Sequence, residues 1–205
     1  HMAVPCDAIE TKKMTRALLF EVVGPKYLRF AREATPVITR PDTPMRFGEA
    51  NIYRFRGEAE RFVDAFEIIP DSEYVDEHED LSIIACGPEV AEALRAAWIL
   101  KAEKSLEVRV VNLHTIKPID RAAVVRAARE TGAVLTAEEH QIGGLGNRVA
   151  GIILEAQPGI GRVVPFAMIG IGDRFGESGK PWQLIKRFGV AAEHIAARAT
   201  ELVKR

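Results

Sequence analysis

Three side chains in a row, Glu138, Glu139 and His140, close the apolar run "AVLTAEEH" (133–140) and are the best local candidates for acid–base chemistry. Histidine titrates near neutrality, and adjacent carboxylates can tune it as a general base. No nucleophile stands at a recognisable spacing, so Glu139 and His140 are polar candidates only. The favoured reading of His140 is structural, a hydrogen-bonding tie for the glycine loop that follows. Two arginines are the next candidates. In "GPKYLRFAREATP" (24–36), Arg29 and Arg32 lie on a short apolar run. On an ideal strand Tyr27, Arg29 and Ala31 share one face and Leu28, Phe30 and Arg32 the other, so the guanidiniums point apart unless the strand has ended by Arg32. At a strand end, the planar donor fork of Arg32 suits a phosphate or carboxylate. The plainer reading is a surface ion pair with Glu33, contributing at most about 1 kcal/mol.

The glycine-rich stretches are weaker signals. "GGLGNRVAG" (143–151) opens a helix whose N-terminus could hold an anion, but it does not fit G-x-G-x-x-G. A tight strand-to-helix turn with close packing is the favoured reading. "GIGDRFGESGK" (170–180) lacks the spacing of a phosphate-cradling loop and reads as a structured turn before a helix. His78, His114 and His194 have no companions at metal-ligand spacing and read as surface or capping residues. Cys6 and Cys86 form no C-x-x-C pair, so two buried thiols in a reducing cytosol are expected.

The elements that must position these residues form a regular series. "LSIIACG" (81–87), "EVRVVNLH" (107–114), "AVLTAEEH" (133–140) and "RVVPFAMIGI" (162–171) read as strands. Between them, "PEVAEALRAAWILKAEK" (88–104), "KPIDRAAVVRAARE" (117–130) and "NRVAGIILEAQ" (147–157) read as helices, and two more are expected near 180–188 and 191–204. Val90, Ala93, Leu94, Ala97 and Leu100 recur at intervals that give the first helix an apolar face. Asp120 is placed to cap the second. Strands alternating with helices predict right-handed βαβ units, hence a three-layer α/β domain with a mostly parallel sheet.

The first 80 residues read differently. A helix is expected from about Asp7 to Val22 and a strand over 25–31, followed by the irregular "TPVITRPDTPMRFG". Residues 49–80 are strongly charged, with an apolar minority at Ile52, Phe55, Phe62, Phe66 and Ile68, and are expected to lie against the α/β domain as a linker and packing segment. A lone strand needs neighbours, so 25–31 reads as the last strand of a sheet that lies upstream. His1-Met2 reads as a cloning remnant.

At 205 residues and a net charge of −1, the chain suits a soluble globular protein and gives no electrostatic case for nucleic acid or an anionic membrane. No apolar run approaches the roughly 20 residues needed to span a bilayer, and no secretory signal pattern opens the sequence. A cytoplasmic protein is expected.

In order, "GPKYLRFAREATPVI", "LSIIACGPEVAEALRAA", "VRVVNLHTIKPID", "LTAEEHQIGGLGNRVA" and "IGIGDRFGESGK" resemble the C-terminal part of the transketolase family, most of all the C-terminal subunit of a split transketolase. The resemblance runs from about Val4 and is strongest from Leu81 to Lys180. It implies that residues 1–40 are the tail of an α/β domain that binds the coenzyme's pyrimidine, 41–80 a charged linker, and 81–205 a transketolase-like C-terminal domain. In the family, an arginine followed four residues later by proline binds the phosphate of the sugar donor. Arg32 with Pro36 matches, whereas Arg29 is not carried over. The coenzyme-activating glutamate, the catalytic histidines and the motif for diphosphate and divalent cation belong upstream in the family. The resemblance therefore implies thiamine diphosphate and a divalent cation in the intact enzyme and none on this fragment. No catalytic, cofactor-binding or metal residue is assigned in this chain, which is expected to be inactive alone.

The implied partners are an N-terminal transketolase subunit or domain, sugar phosphates, and a second copy in a homodimer. The implied reaction moves a two-carbon ketol unit between sugar phosphates, as in the pentose phosphate pathway. Deoxyxylulose-phosphate synthase and the β subunit of 2-oxoacid dehydrogenases resemble the same stretches and are the alternative. A free-standing interaction domain and, more distantly, a nucleotide-binding module on the glycine loops are readings of other classes.

Overall fold

The computed structural model describes residues 1–204. Its main sheet is built from β3 (Asn51–Phe55), β4 (Phe66–Pro70), β5 (Leu81–Ala85), β6 (Val108–Asn112), β8 (Val134–Gln141) and β9 (Phe166–Ile171), in the order β4-β3-β6-β5-β8-β9. The last four are parallel, and β3 and β4 add to β6 as an antiparallel hairpin. Successive side chains of a buried strand serve opposite faces, so Ile83 of β5 packs into one core and Ile84 into the other. The first core is closed by α2 (Glu89–Lys104) and α6 (Ala192–Val203), the second by α3 (Arg121–Glu130) and α4 (Leu145–Ile160). The apolar face expected on α2 is fully buried, and Asp120 caps α3 by accepting a hydrogen bond from Ala123 N at 3.0 Å. A short helix α5 (Pro181–Arg187) precedes α6.

The chain leaves β5 towards β6 on one side and then crosses back to place β8 on the other. The carboxyl ends of β5 and β8 therefore flank the point where the winding reverses, and open α/β sheets hold their ligands at such a crevice.

Residues 41–80 are not a linker. They supply β3 and β4, and β3 pairs with β6 from Asn51–Asn112 to Arg54–Arg109. Their charges are counter-ions. Glu79, fully buried, receives Arg54 Nη1 at 2.8 Å and Arg109 Nη2 at 2.8 Å, while Asp76 also receives Arg109 Nη2 at 2.8 Å. Two arginines can lie inside the sheet because each meets carboxylates at its terminal nitrogens, although the Nε of both stays without a partner among the described residues.

The expected strand 25–31 is shorter and has its neighbour inside this chain. β2 (Tyr27–Leu28) pairs in parallel with β1 (Met2–Ala3), which pairs antiparallel with β7 (Thr115–Lys117). β1 offers only two residues, so β2 ends where its partner ends, with Arg29 N donating one further bond to Ala3 O. Helix α1 (Ala8–Phe20) packs Met14 and Leu18 against Ala3 beneath this small sheet. His114 is a second correction: it is wholly buried rather than at the surface, with Nδ1 3.0 Å from Thr115 Oγ1. It follows β6 into the junction between the two sheets, where no solvent reaches it.

Candidate functional site

The crevice at the β5 and β8 carboxyl ends is roofed by the segment that follows β2, and three polar anchors hold that roof. Asp7 caps α1 through Oδ1, which accepts from Glu10 N at 2.8 Å. Its Oδ2 accepts from Ile38 N at 2.8 Å and Thr39 N at 2.7 Å, and Thr39 Oγ1 donates to the same carboxylate at 2.8 Å. Glu10, also buried, accepts from Cys6 N at 2.7 Å and from Asn112 Nδ2 at 2.9 Å, tying α1 to the end of β6. Arg29 Nη2 then donates to the carbonyl oxygen of Glu139 at 3.0 Å, pinning the 29–36 segment over β8.

Adjacent residues on a strand face opposite ways, and the pinned segment divides the crevice accordingly. Glu139 and Arg32 line one cavity of about 350 Å³ together with Glu177 and the loop before α5. His140 lines another of about 350 Å³ with Arg29, Lys117 and Arg148. Arg32 and Glu139 are thus brought together, while His140 is separated from both. The Arg32 side chain is 95% exposed, and its nearest acid, Glu33, lies at 4.0 Å. That contact leaves its donor fork open. Arg29, given no role in the sequence reading, is the arginine that holds the backbone.

Glu138 is engaged by the backbone. Its carboxylate accepts from Leu145 N at 2.8 Å and Gly146 N at 3.0 Å, so it caps the first turn of α4 from below. The glycine stretch here is the close-packed turn that the residue types favour. A Cβ on Gly146 would stand 2.5 Å from Met168 Sδ, and Gly143 has φ +119°. His140 is exposed, with Nδ1 3.4 Å from the Gln141 carbonyl oxygen, a longer contact than a firm tie requires.

Electrostatics are most unusual on the Glu139 side. Burial raises the Glu139 carboxyl above the usual range, with Arg29 opposing the shift. Glu89, at the start of α2, is raised further by burial and by the neighbouring Glu92 and Glu139. Burial likewise pushes the Cys86 thiol up to about 12. Glu89 was missed because a glutamate in the first turn of a helix reads as an ordinary favourable charge at the helix N-terminus.

A doubly wound parallel sheet with an antiparallel hairpin on one edge, and a polar crevice at its switch point, defines the class: a three-layer α/β domain. The chain belongs to the transketolase family, matching "Transketolase, C-terminal domain" over residues 71–195. It is 33% identical over 207 residues to an apulose-4-phosphate transketolase subunit of Phocaeicola vulgatus, covering 100% of this chain and 57% of that protein. It is 38% identical over 201 residues to the 1-deoxy-D-xylulose-5-phosphate synthase of Thermomicrobium roseum, covering 96% of this chain and 28% of that protein. A solved structure described as "Split gene transketolase, inactive beta4 tetramer" superposes with a TM-score of 0.78 at 33% identity, over 99% of this chain and 57% of the other. The chain thus spans little more than half the length of the split transketolase relatives.

Among the described residues, no group of three or more His, Cys, Asp or Glu side chains is placed to hold a metal ion. No helix among the described residues is long and apolar enough to cross a membrane.

Proposed function

We propose that this chain is the C-terminal part of a split transketolase that transfers a two-carbon ketol unit from a ketose phosphate to an aldose phosphate. Thiamine diphosphate, held with a divalent cation outside these residues, supplies the carbanion chemistry of the intact enzyme. Residues 1–40 are the closing portion of its pyrimidine-binding domain, and the sheet that follows is the C-terminal domain. The working enzyme is a cytoplasmic assembly of this chain with an N-terminal subunit, paired as a homodimer. The chain alone is inactive; its split-gene relative, described as an inactive beta4 tetramer, supports that reading.

The observation that carries the substrate class is Arg32. Its side chain stands 95% exposed beside Glu33 at 4.0 Å, on a segment anchored through Arg29 and Asp7. A free guanidinium on a fixed backbone suits the phosphate of a sugar donor. Binding energy at that remote group helps fix the geometry of the reacting carbons. Glu139 lines the same cavity, its carboxyl raised by burial with Arg29 opposing the shift. Acid–base work by Glu139 or His140 forms no part of this reading.

In the complete two-subunit enzyme, Arg32→Ala is expected to raise KM for phosphorylated donors roughly tenfold or more, the size of a lost charge-assisted contact, with little change for an unphosphorylated ketose. An equal KM for phosphorylated donors would remove Arg32 from the site. The likeness to deoxyxylulose-phosphate synthase favours a second reading, in which pyruvate is the donor. Assaying the complete enzyme first with sugar phosphates alone and then with pyruvate separates the two.

A further inference from the structure

The segment 31–36, the start of α2, the end of β8 and α5 together line another cavity of about 350 Å³, which adjoins the Arg32 cavity and shares Glu33, Glu139, Pro181 and Ile185 with it. Its wall is largely apolar, from Ala34, Pro36, Pro88, Pro181 and Ile185. Its polar lining is acidic: Glu33, Glu89, Glu92 and Glu139, against a single cation, Arg95. Arg95 is already engaged by Glu92, whose other oxygen accepts from Ala192 N at 2.9 Å. An acidic lining alone would indicate only a solvated surface. Here Glu89 is 1% exposed, and its Oε2 has no hydrogen-bond partner among the described residues. A buried carboxylate oxygen without a donor is costly, and native proteins rarely keep one without an external partner. Trp182 completes the wall, 59% exposed, with its ring available to a cation. The cavity also sits at the switch point of the sheet, between the residues that follow β5 and those that end β8.

We propose that this cavity binds a small organic cation, an alkylammonium whose charged head is taken by Glu89 and Glu139 beneath Trp182 and whose apolar stem lies along the proline and isoleucine wall. An ammonium head supplies three donors, enough to satisfy the orphaned Glu89 oxygen and reach Glu139. An inorganic metal ion fits less well, because the described residues offer no cluster of three ligands. The site shares Glu139 with the Arg32 cavity but does not include Arg32, so its test does not turn on phosphate binding.

The test uses the full chain carrying Trp98→Phe, which leaves Trp182 as the sole tryptophan; Trp98 lies outside the cavity, its Nε1 donating to Glu58. Titration with n-hexylammonium is expected to change the Trp182 emission saturably at millimolar concentration, whereas n-hexanol, of the same shape without charge, is expected to leave it unchanged. Adding Glu89→Gln should weaken the ammonium roughly tenfold or more, the size of a lost contact to a charged group. Because that substitution removes an unpartnered buried acid, the variant should melt no lower than its parent, so lost binding cannot be laid to misfolding. Calorimetric titration of the unsubstituted chain should give the same ranking. Equal binding of hexanol, an unchanged midpoint in Glu89→Gln, or no saturable binding by either method would each overturn the proposal.

Discussion

Arg29 Nη2 and the carbonyl oxygen of Glu139, 110 residues apart in sequence, meet at 3.0 Å. This one bond fixes the N-terminal segment against the end of a central strand and sets which cavity each neighbouring side chain lines. It decides where Arg32 stands. Arg29→Met keeps the stem and removes the donors. Loss of a half-buried bond of this kind costs about 1 kcal/mol, or a melting temperature lower by about 2–4 °C. The sharper readout is limited proteolysis, with cleavage appearing within residues 29–36 while the sheet domain stays intact. Unchanged proteolysis there would mean that the segment is held by Asp7 alone.

Asp7 is the stronger anchor. Its carboxylate serves as helix cap and also accepts two backbone bonds and a hydroxyl from the 38–39 turn. Asp7→Ala removes all of these and is expected to cost about 2–4 kcal/mol, lowering the melting temperature by roughly 5–15 °C. Asp7→Asn, which keeps one acceptor, should fall between variant and parent in the same thermal melt.

Glu89 gives a pH-dependent prediction with a definite sign. Its folded carboxyl is raised well above its ordinary value, by burial first and then by Glu92 and Glu139. Such a group favours the fold while protonated. Its contribution is fully present below the unfolded value of about 4.3 and is lost as pH rises through the raised folded value. Glu89→Gln is neutral throughout. The variant should therefore melt higher than the parent at pH 8, with the gap closing as the pH is taken down towards about 4. Parallel melting curves across that range would show that Glu89 finds a partner in solution.

The thiols should be silent. Burial raises both Cys6 and Cys86, the latter to about 12, and the thiolate is the reactive form. A disulfide reagent at pH 8 is expected to leave the folded chain unlabelled and to modify both cysteines once denaturant unfolds it. Labelling of one cysteine before the unfolding transition would reveal local opening at its site.

The βαβ series from Leu81 to Ile171 was legible because each parallel strand is a short apolar run and each helix carries an apolar face. The hairpin of β3 and β4 was not. Ile52, Phe55, Phe66 and Ile68 stood out as an apolar minority, but Arg54 in mid-strand broke the pattern, and its counter-ion Glu79 is 25 residues away. A sequence shows the charge but not the distant partner that permits its burial. The same limit hid Glu138. Beside His140 it looked like half of an acid–base pair, whereas its oxygens are spent on backbone amides seven and eight residues on. Arg32 was singled out by the family resemblance through its spacing to Pro36, and its side chain stands exposed; Arg29, passed over, holds the backbone that carries it.

The hairpin also settles what a minimal version of this fold must contain. The family match begins at residue 71, after β3 and β4 have been made. A chain trimmed to that point would strip β6 of its antiparallel neighbour and expose a row of unpaired amides and carbonyls along an apolar strand. Bare edges of that kind recruit strands from other molecules. It would also leave Glu79 and Asp76 without the strand that orders them beside Arg109. Residues 41–70, the least regular part of the sequence to the eye, thus cover the β6 edge and leave β4 as the outermost strand in its place.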